Sequence, residues 1–187
     1  MNENYDQTES RPDRAVRLFK EGYNCSQAVF GAYADKYGLA PELAFRISAS
    51  FGGGIGRMRE VCGAASGMFL VAGLETGATV GRDAAGKKAN YDMVQALAAE
   101  YRKKNGSIIC KELLGLVPRP SGQATKKGET EERDAADAKH TGDLQAAQFT
   151  DTTPEKRTEE YYKKRPCIQL IRQACEILDE VLFENRE

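Results

Sequence analysis

The chain has 187 residues, of which 27 are basic and 28 acidic, so its net charge is only -1. This balance gives no electrostatic reason to expect nucleic acid or an anionic membrane as a partner. No apolar stretch approaches the roughly 20 residues that span a bilayer, and the polar segment Met1–Arg14 lacks the apolar part of a secretion signal. We therefore expect one domain over residues 1–187, in the cytoplasm and without a membrane span.

Amphipathic patterns typical of helices follow one another along the chain. They begin near Val16, Asn24, Pro41, Arg59, Ala84, Ser107 and Ile168. The second start is the most sharply marked, because Asn24 with Gln27 three residues later matches a capping box. The third helix ends in a glycine-rich run at 52–56 that matches neither a Walker A nor a G-x-G-x-x-G pattern. We interpret it first as a tight connection. The alternative is a loop that shapes the cysteine pocket and offers backbone N–H groups to an anion or to the sulfides of a cluster.

Between residues 117 and 154 the apolar pattern disappears into Pro, Gly, Lys, Glu, Asp and Thr. Loops this long without structure are uncommon in compact domains and often form lids or partner-binding segments. We predict a mobile insertion here, which also contains the one histidine, His140. The predicted fold class is therefore all-α: a bundle of about five or six helices with a long polar insertion before the last helix.

The chain has five cysteines, and the reducing cytosol favours ligands, redox thiols or core residues over structural disulfides. Four of them fall at predicted helix starts: Cys25, Cys62, Cys110 and Cys167. Unpaired N–H groups and the helix dipole stabilise a thiolate at such a position. Neighbouring arginines would add to this effect: Arg57, Arg59 and Arg165. Cys175 instead lies inside the apolar stripe of the last helix and is predicted to be an inert core residue.

No two of these cysteines form a C-x-x-C pair, so the sequence lacks the motifs of zinc ribbons, thioredoxin-like proteins and ferredoxins. Any site that several thiols share must be assembled by the fold.

Four segments in a fixed order carry a signature: GYNCSQAV at 22–29, CGAASG at 62–67, CKELLG at 110–115 and Cys167. Together they resemble the redox-active family named for its C, GCAxxG, C, C cysteine pattern, over about Arg14 to Leu182. The resemblance implies a helical fold and four characteristic cysteines, which correspond to Cys25, Cys62, Cys110 and Cys167. Gly63, Ala64 and Gly67 complete the central motif.

That family is also similar to the cysteine-bearing helical domain of split-Soret cytochromes, where haem and an iron–sulfur centre occur. This chain departs from them because it has no C-x-x-C-H motif, which covalent attachment needs, so c-type haem is not expected. A site with several cysteine ligands is what the relationship still implies.

Three functions remain open. In the first, the four family cysteines are metal ligands of an iron–sulfur cluster, or of zinc or another thiophilic metal, and exchange electrons with an unidentified redox partner. In the second, they are the catalytic thiols of a metal-free thiol–disulfide protein. In the third, the chain is a non-catalytic binding or accessory module in which the cysteines only pack. The sequence does not decide whether the protein is an enzyme.

Four glycines are assigned to the walls of a cofactor-binding site: Gly53, Gly54, Gly63 and Gly67. The small-residue face from Gly63 to Gly67 also suits a close helix contact, either inside the chain or between two copies. A homo-oligomer is therefore a further expectation.

Overall fold

A computed structural model describes residues 8–118 and 151–184. Within these residues the chain forms α1 (Arg11–Lys20), α2 (Cys25–Ala32), α3 (Pro41–Ser48), α4 (Gly63–Thr76), α5 (Ala84–Asn105), α6 (Cys110–Leu113), α7 (Glu159–Lys164) and α8 (Cys167–Ile177). The last helix continues as a π-helical segment, Leu178–Phe183. In this part of the chain, β pairing is limited to one isolated antiparallel bridge between Val61 and Ile109. The all-α fold class is confirmed.

Helix starts mostly follow the sequence signals. The Asn24 side chain accepts hydrogen bonds from the backbone of Ser26 and Gln27, both at 3.0 Å, and Gln27 accepts one from the Asn24 backbone, so the predicted capping box is confirmed. The fourth helix is shorter than predicted. It begins at Gly63 rather than near Arg59, because Arg59 adopts a left-handed φ of 61° that no α-helix contains.

Helix α2 lies at the centre of the bundle, packed against α1, α3, α4 and α8. Its contact with α4 is close because of a glycine: a Cβ at Gly67 would lie 2.9 Å from both the Ser26 carbonyl oxygen and the Val29 Cβ. The small-residue face of α4 therefore makes an internal helix contact. This contact holds the start of α2 beside the start of α4.

The predicted insertion at 117–154 lies mostly outside the described residues, as does His140. The chain is described again from Asp151, and the stretch that leads into α7 runs beside the end of α1. There Arg157 donates hydrogen bonds to the carbonyl oxygens of Phe19, at 2.8 Å, and Tyr23, at 3.0 Å.

No helix in 8–118 or 151–184 is long and apolar enough to cross a membrane.

Candidate functional site: a cavity lined by four cysteines

Four cysteines meet at one cavity although no two of them share a helix. Cys25, Cys110 and Cys167 are the first residues of α2, α6 and α8, and Cys62 is the residue that caps α4. All four line a cavity of about 400 Å³. Cys62, Cys110 and Cys167 are buried and Cys25 is half-buried, and all are free thiols. The fold thus brings together the four cysteines that the sequence singled out.

Backbone pairing fixes two of these cysteines relative to each other. The Cys62 amide donates to the Ile108 carbonyl at 2.7 Å, and the Cys110 amide donates to the Glu60 carbonyl at 2.6 Å. These bonds flank the bridge between Val61 and Ile109. Because backbone hydrogen bonds hold both residues, the cysteines at the starts of α4 and α6 face the cavity from a rigid wall.

The glycine-rich loop before α4 forms another wall in an unusual conformation. Consecutive residues from Gly53 to Arg57, and then Arg59, have φ values between 56° and 76°. Three of them are not glycine, and at the β-branched Ile55 such a conformation is a genuine outlier. Strain of this kind costs about 1–3 kcal/mol per residue and tends to be kept at functional sites.

Three of the four glycines assigned to a cofactor site line the cavity: Gly53, Gly54 and Gly63. A Cβ at Gly54 would lie 2.6 Å from the Cys110 Cβ and 2.8 Å from the Glu60 amide nitrogen, and one at Gly63 would lie 3.1 Å from the Cys25 Cβ. These two glycines therefore allow the cysteines to sit against the loop and against α4. Gly67 is not part of the lining and faces α2.

Cys25 and Cys167 are in direct hydrogen-bond contact. The bond that Cys25 donates is the main cause that raises the pKa of its own thiol, with burial adding to it. The same bond is the main cause that lowers the pKa of Cys167; burial opposes this, and the nearby guanidinium groups of Arg165, Arg157 and Arg59 favour it. Cys167 is thus the readiest of the pair to become a thiolate.

Cys62 and Cys110 have a different environment. Burial raises the pKa of Cys62, although the Tyr101 hydroxyl, 3.5 Å from its sulfur, and the amides of Ala64 and Ala65 act in the opposite direction. Burial also raises the pKa of Cys110 to about 12, with Arg59 opposing it. The expectation that helix starts lower the thiol pKa is therefore wrong for these two cysteines, because loss of water outweighs the helix dipole. It is also wrong for Cys25, whose pKa is raised mainly by the hydrogen bond to Cys167.

The mouth of the cavity is cationic. Its lining contains four arginines and one carboxylate: Arg57, Arg59, Arg157, Arg165 and Glu155. Arg165 donates to both Glu155 carboxylate oxygens, at 2.5 and 2.7 Å, and Arg59 lies 3.5 Å from one of them. The three arginines that the sequence placed near cysteines all reach the site.

No three of the four cysteine side chains lie as close together as the ligands of one metal ion. Among residues 8–118 and 151–184, no three Cys, His, Asp or Glu side chains lie close enough together to hold one metal ion. The cysteines border one cavity instead, and the buried Tyr101 hydroxyl lies behind this lining, 3.5 Å from the Cys62 sulfur.

Cys175 lies where the sequence predicted, fully buried in the core. It is outside the cavity lining, and its carbonyl accepts a hydrogen bond of 3.0 Å from the Tyr33 hydroxyl. Sequence reasoning missed three residues of the site: Tyr101, Glu155 and Arg157. Tyr101 follows the apolar pattern of α5, which is typical of a core residue. The other two directly follow the polar stretch 117–154, where no pattern distinguishes them.

Comparison with known proteins gives one finding. A family model described as "Putative redox-active protein (C_GCAxxG_C_C)" matches residues 23–181, a span that contains all four cavity cysteines. No match was found among curated proteins or among solved structures.

Proposed function

Because the chain belongs to the redox-active C_GCAxxG_C_C family, we propose that its four cavity cysteines ligate an iron–sulfur cluster used in electron transfer. The observation that carries this proposal is the meeting of four thiols, from four separate helix starts, around one cavity of about 400 Å³. Four cysteine thiolates are the usual ligand set of such clusters.

Zinc is the alternative occupant of the same four thiols. Tetrahedral zinc with Zn–S bonds of about 2.3 Å would bring every pair of sulfurs to roughly 3.8 Å. Cys25 and Cys167 are already in hydrogen-bond contact, whereas no three potential ligands in the described parts of the chain are gathered as tightly as one metal ion needs. Metal analysis of the loaded protein distinguishes a cluster from zinc.

The surrounding residues would stabilise the charge of such a group. A bound cluster supplies one-electron transfer, and its thiolates carry negative charge that burial disfavours. The amides at the start of α4 and the guanidinium groups near Cys167 and Cys110 all act in favour of thiolate. Apolar residues such as Leu113 and Leu170 complete the lining and limit the access of water, which also affects reduction potential.

Anaerobic loading tests the proposal directly. The reduced protein is incubated with ferrous iron and sulfide, and its iron, acid-labile sulfide, visible absorption and electron paramagnetic resonance spectrum are measured. We expect stoichiometric iron and sulfide in the wild type and at least a tenfold loss in Cys62→Ala. Cys175→Ala is the matched control and should load normally. Absence of iron and sulfide in the wild type, with the cavity thiols open to alkylation, contradicts the cluster.

One contact favours a second function, thiol–disulfide exchange by Cys25 and Cys167. The Cys167 thiolate would attack a disulfide of a partner protein, forming a mixed disulfide and releasing one partner thiolate. Cys25 would then lose its proton and attack the Cys167 sulfur, releasing the second partner thiolate. The pair is oxidised by two electrons while the partner disulfide is reduced to two thiols.

A trapping experiment separates the two functions. In metal-free protein, Cys25→Ser should leave a stable mixed disulfide on Cys167 when a small disulfide is added, while the wild type should release it and form the Cys25–Cys167 bond. If oxidised wild type contains no such bond by peptide mass spectrometry, the exchange function is wrong. In either function we propose an unidentified redox partner and a cytoplasmic location, where thiols remain reduced.

The third function, a binding or accessory module, is distinguished from the other two by the effect of alanine at the cavity cysteines. It predicts that alanine at any cavity cysteine changes neither metal content nor redox behaviour.

A further inference from the structure

The mouth of the cysteine cavity has more positive charge than its own carboxylate balances. Four guanidinium groups and one carboxylate line it. Three of the cysteines are at most 8% exposed, and Arg59, at 7%, is as buried as they are. The side chains of Arg57 and Arg165 are 19% and 20% exposed, and that of Glu155 is 41% exposed. Solvent therefore reaches the cavity beside Glu155, Arg57 and Arg165, and the buried Arg59 connects this mouth with the surroundings of Cys110.

Glu155 occupies the cationic mouth as a carboxylate ligand would. Arg165 binds both of its oxygens, at 2.5 and 2.7 Å, and Arg59 and Arg57 lie 3.5 and 3.8 Å from one of them. Both bonds come from one guanidinium nitrogen, Nη2 of Arg165, and such charge-assisted hydrogen bonds are among the stronger ones that arginine makes to carboxylates and other oxyanions. Three guanidinium groups thus surround one partly exposed carboxylate. Only Arg57 has a second carboxylate nearby, that of Asp151 at 3.6 Å, so among the described residues the positive charge still exceeds the negative.

The backbone holds two of these arginines in place at a cost. Arg57 and Arg59 both have left-handed φ values, 68° and 61°, a conformation that disfavours ordinary side chains. The Arg59 side chain is nevertheless buried, and it reaches both Glu155 and the surroundings of Cys110. Strain that turns two cations toward one cavity is typical of a binding site prepared in advance.

We propose that this mouth binds a small oxyanion substrate, of the carboxylate or sulfate kind, and that Glu155 occupies its site when the substrate is absent. The cavity volume falls in the range of small-ligand sites. Bound there, the oxyanion would lie next to the cysteines. The inference concerns the same cavity as the proposed function, but it holds for thiols with or without a metal.

Removal of the internal competitor is the direct test. Binding of succinate and of sulfate to the reduced, metal-free full chain is measured by calorimetry at low ionic strength, because salt screens such contacts. Uncharged succinamide serves as the probe control. We expect Glu155→Gln to bind at least one of the two anions at least tenfold more tightly than the wild type and to ignore succinamide. Adding Arg165→Gln to this variant should abolish the gain.

The matched protein control is Glu180→Gln, which removes a similarly exposed carboxylate paired with Lys104 away from the cavity. It should leave anion affinity at the wild-type value. Circular dichroism checks that each variant is folded, and Glu155→Ala repeats the test with a smaller side chain. The inference is wrong if neither Glu155 variant gains affinity, or if the gain persists without Arg165. A protein that loads iron and sulfide but fails this test contradicts the oxyanion site alone, and the reverse result contradicts the cluster alone.

Discussion

The cysteine cavity and the surroundings of Cys175 both bury thiols, yet the two regions are built differently. Cys175 lies within a regular helix among fully buried side chains such as Ile171 and Leu178. The cavity cysteines lie at helix starts, beside a loop with six left-handed residues, around open space. Burial alone therefore does not distinguish a reactive cysteine. The distinction comes from what the sulfur faces, which is packed carbon in one region and a lined cavity in the other.

The largest loss of stability should come from a side chain placed between the glycine-rich loop and Cys110. In Gly54→Ala the new Cβ would approach the Cys110 Cβ and the Glu60 amide, and the residue would also keep a left-handed φ. We expect a loss of about 3 kcal/mol in the free energy of unfolding, measured by urea denaturation. Gly73→Ala is the control, because Gly73 lies inside α4 with open space at its Cβ. It should stabilise the protein by about 0.5–1 kcal/mol. Equal effects at both sites would remove the distinction between the two regions.

Alanine at the core cysteine should cost more stability than alanine at a cavity cysteine. Cys175→Ala removes a sulfur from a fully packed core and should cost about 2 kcal/mol of stability in the reduced, metal-free protein. Cys110→Ala removes one that already borders a cavity, so fewer contacts are lost and the cost should stay below about 1 kcal/mol. Urea midpoints of the two variants give the comparison. A larger loss at Cys110 would mean that its sulfur is packed as a core residue.

The cap of α2, beside the cavity, should contribute more to stability than the exposed cap of α1. Asn24→Ala removes the cap of α2 and also the hydrogen bond of 2.8 Å that the Asn24 side chain donates to the Ala49 carbonyl. We expect a loss of about 1.5 kcal/mol. Ser10→Ala removes the exposed cap of α1 and the exposed hydrogen bond of 2.6 Å that the Ser10 hydroxyl donates to the Asp13 carboxylate, and it should cost about 0.5–1 kcal/mol. Thermal unfolding of both variants checks this order, which identical midpoints would contradict.

The smallest expected effect concerns two buried tyrosines. Tyr101→Phe removes the hydroxyl next to Cys62, whereas Tyr33→Phe removes one bonded to the Cys175 carbonyl and to Asp179. A hydrogen bond to a ligand sulfur raises the reduction potential of its cluster, and about 1 kcal/mol corresponds to roughly 40 mV for one electron. Tyr101→Phe should lower the potential of the loaded protein by about this amount. Tyr33→Phe should leave the potential unchanged and cost about 1 kcal/mol of stability, and a shift in potential there would count against separate roles.

Local signals in the sequence were enough to predict that helices start near the four cavity cysteines, although the start of α4 was placed too early. The capping pair of Asn24 and Gln27 acts over three residues, and the apolar stripe that contains Cys175 is periodic. For this reason both could be read without a structure. The all-α class and the membership of four cysteines in one set follow from the same kind of short-range pattern.

The parts that could not be predicted depend on residues far apart in the chain. Tyr101 looks like any apolar position of α5 until α4 places Cys62 beside its hydroxyl. Arg157 and Glu155 reach the cavity only because the segment that contains them packs beside the end of α1. The late start of α4 has a further cause, since the left-handed Arg59 before it accepts a hydrogen bond of 3.0 Å from the distant Lys111 amide.

Because the cavity takes one cysteine from each of four helix starts, its assembly has a consequence for biosynthesis. Cys25, Cys62 and Cys110 leave the ribosome before Cys167, and domains of this size complete their folding only once the contributing segments are available. A nascent chain without α8 would carry three thiols and no closed site. A cavity lined by all four thiols therefore exists only after the last helix has been synthesised.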